Sequence, residues 1–228
     1  MRILICLIQV IDLNFLESRT HMLSKYTSRF LYLDFKLIMS RKNIYLEELS
    51  ESDFTDEYVD WHHEKHTLYY SGSNRVFTKQ NLLEEYHRGK KEKNIFHYGI
   101  FYSENKKLIG VLKLGIINWT NLSSDMIVFI GDKEYLGKGL AIEAIKIGNA
   151  IAFETHNLRL LYGGMHRDNI GSVKAYLRAN WIIEGILRDH YIVNGESQDR
   201  ILVACFNPSI FNETYHKKGL YSFKEIYG

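Results

Sequence analysis

The sequence predicts a protein of the α+β class, an α/β sandwich built around one mixed sheet. Two features indicate this fold. Strand-type runs come first as an antiparallel group, and strand-type and helix-type runs then alternate toward the C-terminus. In addition, 46% of the 228 residues are hydrophobic, enough for one sizeable core. We therefore expect one domain at residues 40–208, preceded by an extension at 1–39 and followed by a C-terminal tail at 209–228.

The extension opens with a short apolar stretch, MRILICLIQVI. A helix of this length cannot span a bilayer, and no signal-peptide cleavage pattern follows it. Two interpretations stay open. The segment is an accessory element that docks on the domain, or the native start is Met39 and the residues before it are upstream sequence.

The first half of the domain begins with a strand and two helices. Residues Asn43–Leu49 alternate as a short strand does. A first helix is predicted from apolar residues at helical spacing, namely Phe54, Tyr58 and Trp61. Thr78 caps a second helix, which we expect to end near Gly89.

Three strands and a long helix follow. Ile95–Ser103 and Lys107–Ile117 are separated by the turn ENK and predict an antiparallel hairpin, and Met126–Ile130 is the next strand. The periodicity of Leu140–His156 predicts the strongest helix of the chain.

The C-terminal half alternates between strands and a helix. The predicted elements are a strand at Leu158–Met165, a helix at Asn169–Asn180, and strands at Trp181–Leu187 and Ile201–Phe206. The segment DHYIVNGESQ between the last two strands is expected to form a hairpin turn through Asn194 and Gly195.

Composition excludes several classes of protein. The 29 basic residues nearly cancel the 27 acidic ones, which argues against a nucleic-acid or membrane-surface protein. Cys6 and Cys205 are far apart, and Cys205 lies in an apolar run, so we expect reduced thiols and a cytoplasmic protein.

Two segments carry the chemistry. In GDKEYLGKGLA, a strand leads through Gly137, Lys138 and Gly139 directly into the long helix, an arrangement that suits a diphosphate but is also found in plain turns. In DNIGSVKAYLRANW, Asn169 can cap a helix on which Ser172 and Tyr176 share a face, although a purely structural role explains these residues equally well.

Together, GDKEYLGKGLAIEAI and DNIGSVKAYLRANWIIEGILRD resemble the two motifs of the GNAT superfamily of N-acetyltransferases, in the branch with ribosomal-protein and amino-sugar acetyltransferases. The resemblance covers about residues 43–207. It implies a sheet splayed between two central parallel strands, and acetyl-CoA as cosubstrate. The residues it implies for CoA are the β-strand backbone at Val128, Phe129 and Ile130, the loop Gly137, Lys138, Gly139, Leu140 and Ala141, and the helix start at Asn169 and Ser172.

For catalysis, the resemblance implies direct attack of an amine in a ternary complex. Tyr176 is predicted to stabilise the departing thiolate, because the pKa values of a phenol and a thiol are close enough for a hydrogen bond between them. Asp125 is the predicted base, acting through water, with His166 and His190 as alternatives. A solvated carboxylate at the start of a strand is the competing interpretation of Asp125.

By the same resemblance, the segment with Trp61, His62 and Tyr70 borders the acceptor site. These side chains could equally belong to the core or the surface. His62 and His66 have the i, i+4 spacing of metal ligands, but HEKH is not HExxH, so we expect no metal.

The expected function is therefore transfer of acetyl to a small-molecule amine, for which a nucleotide-linked amino sugar is the expected acceptor. A protein N-terminus is the alternative acceptor, and a non-catalytic acyl-CoA-binding module is the alternative function. We expect a monomer or homodimer.

Overall fold

A computed structural model describes residues 43–64, 67, 76–193, 195–212 and 219–228 of the chain. These residues form one seven-stranded sheet in the order β1-β2-β3-β4-β5-β7-β6, with helices on both faces. The strands are β1 (Ile44–Glu48), β2 (Phe96–Tyr102), β3 (Leu108–Leu114), β4 (Ser123–Ile130), β5 (Leu160–His166), β6 (Ile182–Val193) and β7 (Glu196–Phe206). The helices are α1 (Asp56–His63), α2 (Lys79–Glu92), α3 (Leu140–Ala150), α4 (Ile170–Arg178) and α5 (Phe223–Tyr227). The predicted α+β class is confirmed.

The sheet is split at its centre. β4 and β5 are parallel, and only the first three residues of β4, Ser123–Asp125, pair with β5. Beyond them, residues 126–130 pair with β3 alone, while residues 163–166 of β5 pair with β7. All other neighbouring strands are antiparallel. The two central strands therefore diverge from a common base and leave a gap between their C-terminal halves.

The two faces of the sheet bury separate apolar clusters. Because side chains alternate along a strand, the neighbours Val111 and Leu112 of β3 point to opposite faces. Leu112 and Met126 belong to the larger cluster, which α3 and α4 cover. Val111 packs with Tyr58 and Tyr86 on the other face, which α1 and α2 cover. These surfaces are called the α3–α4 face and the α1–α2 face below.

Several boundaries differ from the sequence prediction; β4, for example, begins at Ser123 rather than Met126. Gly89 does not end α2, which continues to Glu92; the residue is glycine at a place where a Cβ would overlap the side chain of Ile95. The long helix changes at Ile151–Thr155 into a π-helical turn. The predicted turn DHYIVNGESQ is mostly strand, since β6 runs to Val193 and β7 begins at Glu196. Gly195 has a φ of 85°, and Asn194, the other predicted turn residue, lies outside the described residues. This exposed segment lacks the alternation of apolar and polar residues that is typical of a strand, so no strand was predicted there.

The C-terminal segment docks on the domain through α5. The Arg167 guanidinium donates a hydrogen bond of 2.6 Å to the carbonyl of Ile226, and the Tyr227 hydroxyl donates one of 2.7 Å to the carbonyl of Arg167. Ile226 itself is buried. Within the described residues, no helix is both long enough and apolar enough to cross a membrane.

Candidate active site

Two glycines with a left-handed backbone conformation shape the loop between β4 and α3. Gly137 and Gly139 have φ angles of 73° and 77°, a region that L side chains rarely adopt. The N-cap residue of α3 is Gly139, and among the described residues no side chain caps the helix or competes for the amide donors of its first turn. Lys138 is exposed and lies 5.0 Å from the ring of Tyr135. This loop therefore presents backbone donors, the positive end of a helix dipole and one cation to solvent, which suits a diphosphate.

The gap between the central strands leaves one edge of β4 open. Val128, Phe129 and Ile130 pair only with β3, so their backbone edge toward β5 has no strand partner in the described structure. An extended ligand arm can hydrogen-bond to such an edge as an added strand does.

Tyr176 reaches this gap from α4. Its hydroxyl donates a hydrogen bond of 2.8 Å to the carbonyl of Met126, the first β4 residue beyond the pairing with β5. The side chain is 4% exposed and packs edge-on against Trp181. Burial, and secondarily the charge of Asp125, raise the pKa of Tyr176, while the Val128 amide opposes the shift. The phenol is therefore a protonated hydrogen-bond donor at neutral pH.

At the start of α4, Asn169 accepts a hydrogen bond of 3.2 Å from the amide of Ser172. This is the capping role that the sequence allowed as an alternative to ligand binding. Both residues are partly exposed at the C-terminal end of the gap, after β5.

Asp125 lies at the base of the gap on the α1–α2 face, opposite Tyr162 of β5. It lines a cavity of about 340 Å³ together with Glu85, Lys113 and Ile127. Burial raises the pKa of Asp125, and the nearby Arg200 guanidinium opposes that shift. A carboxylate with a raised pKa beside a cavity is better suited to accept a proton than an ordinary surface aspartate.

The two alternative bases occupy different positions. His166 is 1% exposed, and its ring stacks on Tyr191 with centroids 3.8 Å apart. His190 is exposed on β6, where its Nε2 lies 3.4 Å from Nη1 of Arg200. Asp125 is the candidate base that directly lines the cavity.

The three residues predicted to contact the acceptor, Trp61, His62 and Tyr70, differ in their surroundings. Trp61 is 6% exposed, and its ring fills the place that a Cβ on Gly131 would take, so its position is that of a core residue. His62 is partly buried, with its ring 5.2 Å from that of Phe129, and burial lowers its pKa. Tyr70 and His66 lie outside the described residues. No group of three or more metal-ligating side chains occurs in the described part of the chain.

A half-buried charged group that the sequence did not predict lies beside the cavity. Glu85 Oε1 lies 2.9 Å from Lys113 Nζ and 3.5 Å from Nε2 of His97. The hydrogen bond from His97, more than any other contact, holds the pKa of Glu85 well below its usual range. These residues come from α2, β2 and β3, so no local spacing in the sequence connects them.

Three comparisons with known proteins agree with this geometry. The profile of the acetyltransferase (GNAT) domain matches residues 43–181. A probable N-acetyltransferase, YjcK, of Bacillus subtilis (strain 168) is 29% identical over 57% of this chain and 72% of its own length. Spermidine N(1)-acetyltransferase of Escherichia coli (strain K12) is 29% identical over 42% of this chain and 52% of its own length.

Among solved structures, spermidine N-acetyltransferase from Vibrio cholerae in complex with CoA and spermine has a TM-score of 0.67 to this chain. The match covers 72% of this chain and 96% of that one at 22% identity, and at that identity it shows a shared fold. These relatives do not support the expected nucleotide-linked amino sugar as acceptor.

Proposed function

Because the chain belongs to the acetyltransferase (GNAT) family, we propose that it transfers the acetyl group of acetyl-CoA to a primary amine of a small molecule. The observation that carries the proposal is the Tyr176 hydroxyl, which lies in the gap between β4 and β5. In that position it can face the sulfur of a thioester whose arm lies along the open edge of β4.

Acetyl-CoA would be held at three places. The amides from Gly137 to Ala141, with Lys138, would bind the pyrophosphate at the start of α3. The backbone of Val128, Phe129 and Ile130 would pair with the pantetheine arm. Asn169 and Ser172, at the start of α4, would contact the same arm near its thiol end.

The reaction would proceed by direct attack in a ternary complex. The neutral amine forms a bond with the acetyl carbon, the carbon–sulfur bond then breaks, and the amine proton passes through water to Asp125. Tyr176 donates a hydrogen bond to the thiolate as it leaves. Cys205 is not suited to a covalent intermediate, because burial raises the pKa of its thiol to about 12.

Two measurements test this function. Calorimetric titration of the full chain with acetyl-CoA should give saturable binding in the micromolar range. Thiol release should then appear with at least one amine of a panel that includes spermidine, alkylamines, amino carboxylates and a peptide with a free N-terminus. Failure to bind acetyl-CoA would overturn the proposal, and binding without turnover on any amine would favour the non-catalytic module.

A further inference from the structure

Three large apolar side chains that reach solvent converge on the cavity beside Asp125. Ile116, which follows β3, is 66% exposed, Ile127 of β4 is 43% exposed and Tyr162 of β5 is 42% exposed. A group of exposed apolar side chains with charged residues around it marks a binding site. The cavity volume of about 340 Å³ lies within the range of about 300–1,000 Å³ that is usual for small ligands. The walls of the cavity therefore suit the apolar part of a small ligand.

Asp125 supplies a carboxylate between these walls. Asp125 and Ile127 are two positions apart on β4, so their side chains point to the same face of the sheet, and Tyr162 is the partner of Asp125 in the β4–β5 pairing. Gly115 also lines the cavity, and a Cβ there would lie 3.3 Å from the Cβ of Asp125. Glycine at position 115 thus leaves space beside the carboxylate. An amine that contacts Asp125 would have its substituent against the apolar walls.

The other charges of the cavity offer no free carboxylate to a second amine. Glu85 Oε1 lies 2.9 Å from Lys113 Nζ and 3.5 Å from Nε2 of His97, so this carboxylate already has two basic neighbours. Arg88 of α2 is exposed and lines the same cavity. Within the described part of the chain, neither Arg88 nor Asp125 takes part in an ion pair. A ligand therefore meets one uncompensated carboxylate, Asp125, and one uncompensated cation, Arg88.

We propose that the acceptor is a primary monoamine with an apolar body. Its amine faces Asp125, and its body packs against Ile116, Ile127 and Tyr162. Arg88 disfavours acceptors that carry a second ammonium group. This rests on the acetyltransferase function proposed above and names its substrate class.

The physical basis of this selectivity is desolvation. A methylene group that leaves water for an apolar wall favours binding, so each added methylene should improve kcat/KM about three- to fourfold until the cavity is filled. A second ammonium group at the end of the same chain would lose water beside apolar walls and a guanidinium, without a carboxylate to replace the lost hydration.

Matched acceptors test the proposal in the wild type. Thiol release is measured at saturating acetyl-CoA with straight-chain alkylamines of increasing length, with α,ω-diamines of the same lengths, and with spermidine. For alkylamines, kcat/KM should rise with chain length. After correction for the two equivalent amines of a diamine, the best alkylamine should exceed its diamine by at least about tenfold.

Two variants test the walls and the cation, each with a matched control. Ile127→Thr keeps a β-branched residue and shortens the wall, so it should lower kcat/KM about threefold or more for the best alkylamine and less for the shortest one that reacts. Ile192→Thr makes the same change at an exposed residue of β6 outside the cavity lining and should leave both within about twofold. Arg88→Glu should reduce the alkylamine-to-diamine ratio at least about threefold. Arg178→Glu makes the same change of charge at the exposed end of α4 and should leave that ratio unchanged.

The contrary outcomes are distinct. Diamines or spermidine that react as well as alkylamines in the wild type, or turnover confined to amino carboxylates or a peptide N-terminus, would overturn the inference and leave the acetyltransferase function intact. An equal loss on all alkylamines in Ile127→Thr would also overturn it, because the wall would then not contact the acceptor. Equal ratios in Arg88→Glu and Arg178→Glu would overturn the role of Arg88. Absence of acetyl-CoA binding in calorimetry would instead remove the proposed function itself.

Discussion

Replacing Tyr176 by phenylalanine tests the centre of the proposed mechanism, because it removes one hydroxyl and leaves the packing of the ring. That hydroxyl makes one hydrogen bond to a protein carbonyl, 2.8 Å long, at Met126. In the empty protein, its loss leaves a buried carbonyl without this donor, which costs about 1–3 kcal/mol of folding free energy.

The effect on catalysis has a separate origin. A hydrogen bond to a charged group contributes about 1.5–3 kcal/mol, and here the charge is the thiolate that develops as the carbon–sulfur bond breaks. At about 1.4 kcal/mol for each factor of ten, kcat should fall about 10- to 150-fold. The affinity for acetyl-CoA should change little, because the loop before α3 and the edge of β4 remain intact.

Tyr98 offers a matched control. It is also a buried tyrosine of the α3–α4 face, and its hydroxyl lies 2.8 Å from Nε2 of His156, outside the gap. Tyr98→Phe should lower stability by a comparable amount in chemical denaturation and leave kcat within about twofold. Thiol-release assays at saturating acetyl-CoA give kcat for both variants. An unchanged kcat in Tyr176→Phe, or equal losses in both, would refute the role of Tyr176.

Three further substitutions examine the loop, the base and the sheet. Gly139→Val places a β-branched residue at a φ of 77°, so it should cost about 1–3 kcal/mol of stability and raise the Kd for acetyl-CoA in calorimetry. Gly195→Val is the control: with a φ of 85° in the β6–β7 hairpin, it should cost as much stability without changing that Kd. Asp125→Asn should abolish the acidic limb of the pH–kcat/KM profile. Burial raises the pKa of Asp125 in the folded state, so folding favours the protonated carboxyl. The stability of the wild type is therefore highest at low pH and falls as the pH rises through the folded-state pKa of Asp125. The Asn variant should therefore gain Tm relative to wild type near neutral pH, and an equal difference at all pH values would contradict the raised pKa. Gly131→Ala would drive a methyl group into the Trp61 ring and should lower the free energy of unfolding by about 1–3 kcal/mol in urea titration.

Local sequence patterns predicted those helices and strands whose own residues show apolar periodicity or a turn motif. The apolar periodicity after Gly139 identified α3, and the ENK turn identified the β2–β3 hairpin, whose register pairs Phe96 with Leu114. Short-range motifs likewise identified the glycine loop and the start of α4. Their physical basis lies within a few residues of the chain, in backbone conformation, capping and side-chain spacing.

The sequence by itself therefore determined the α+β class, the order of most elements and the two segments expected to hold CoA. Only the tertiary structure decided which side chains share the space between β4 and β5. Tyr176 meets Met126 across 50 positions of sequence, and Arg200 of β7 lies over Gly164 of β5. Such contacts depend on strand order and on the divergence of two strands, which are set by the packing of the whole sheet and leave no local spacing in the chain.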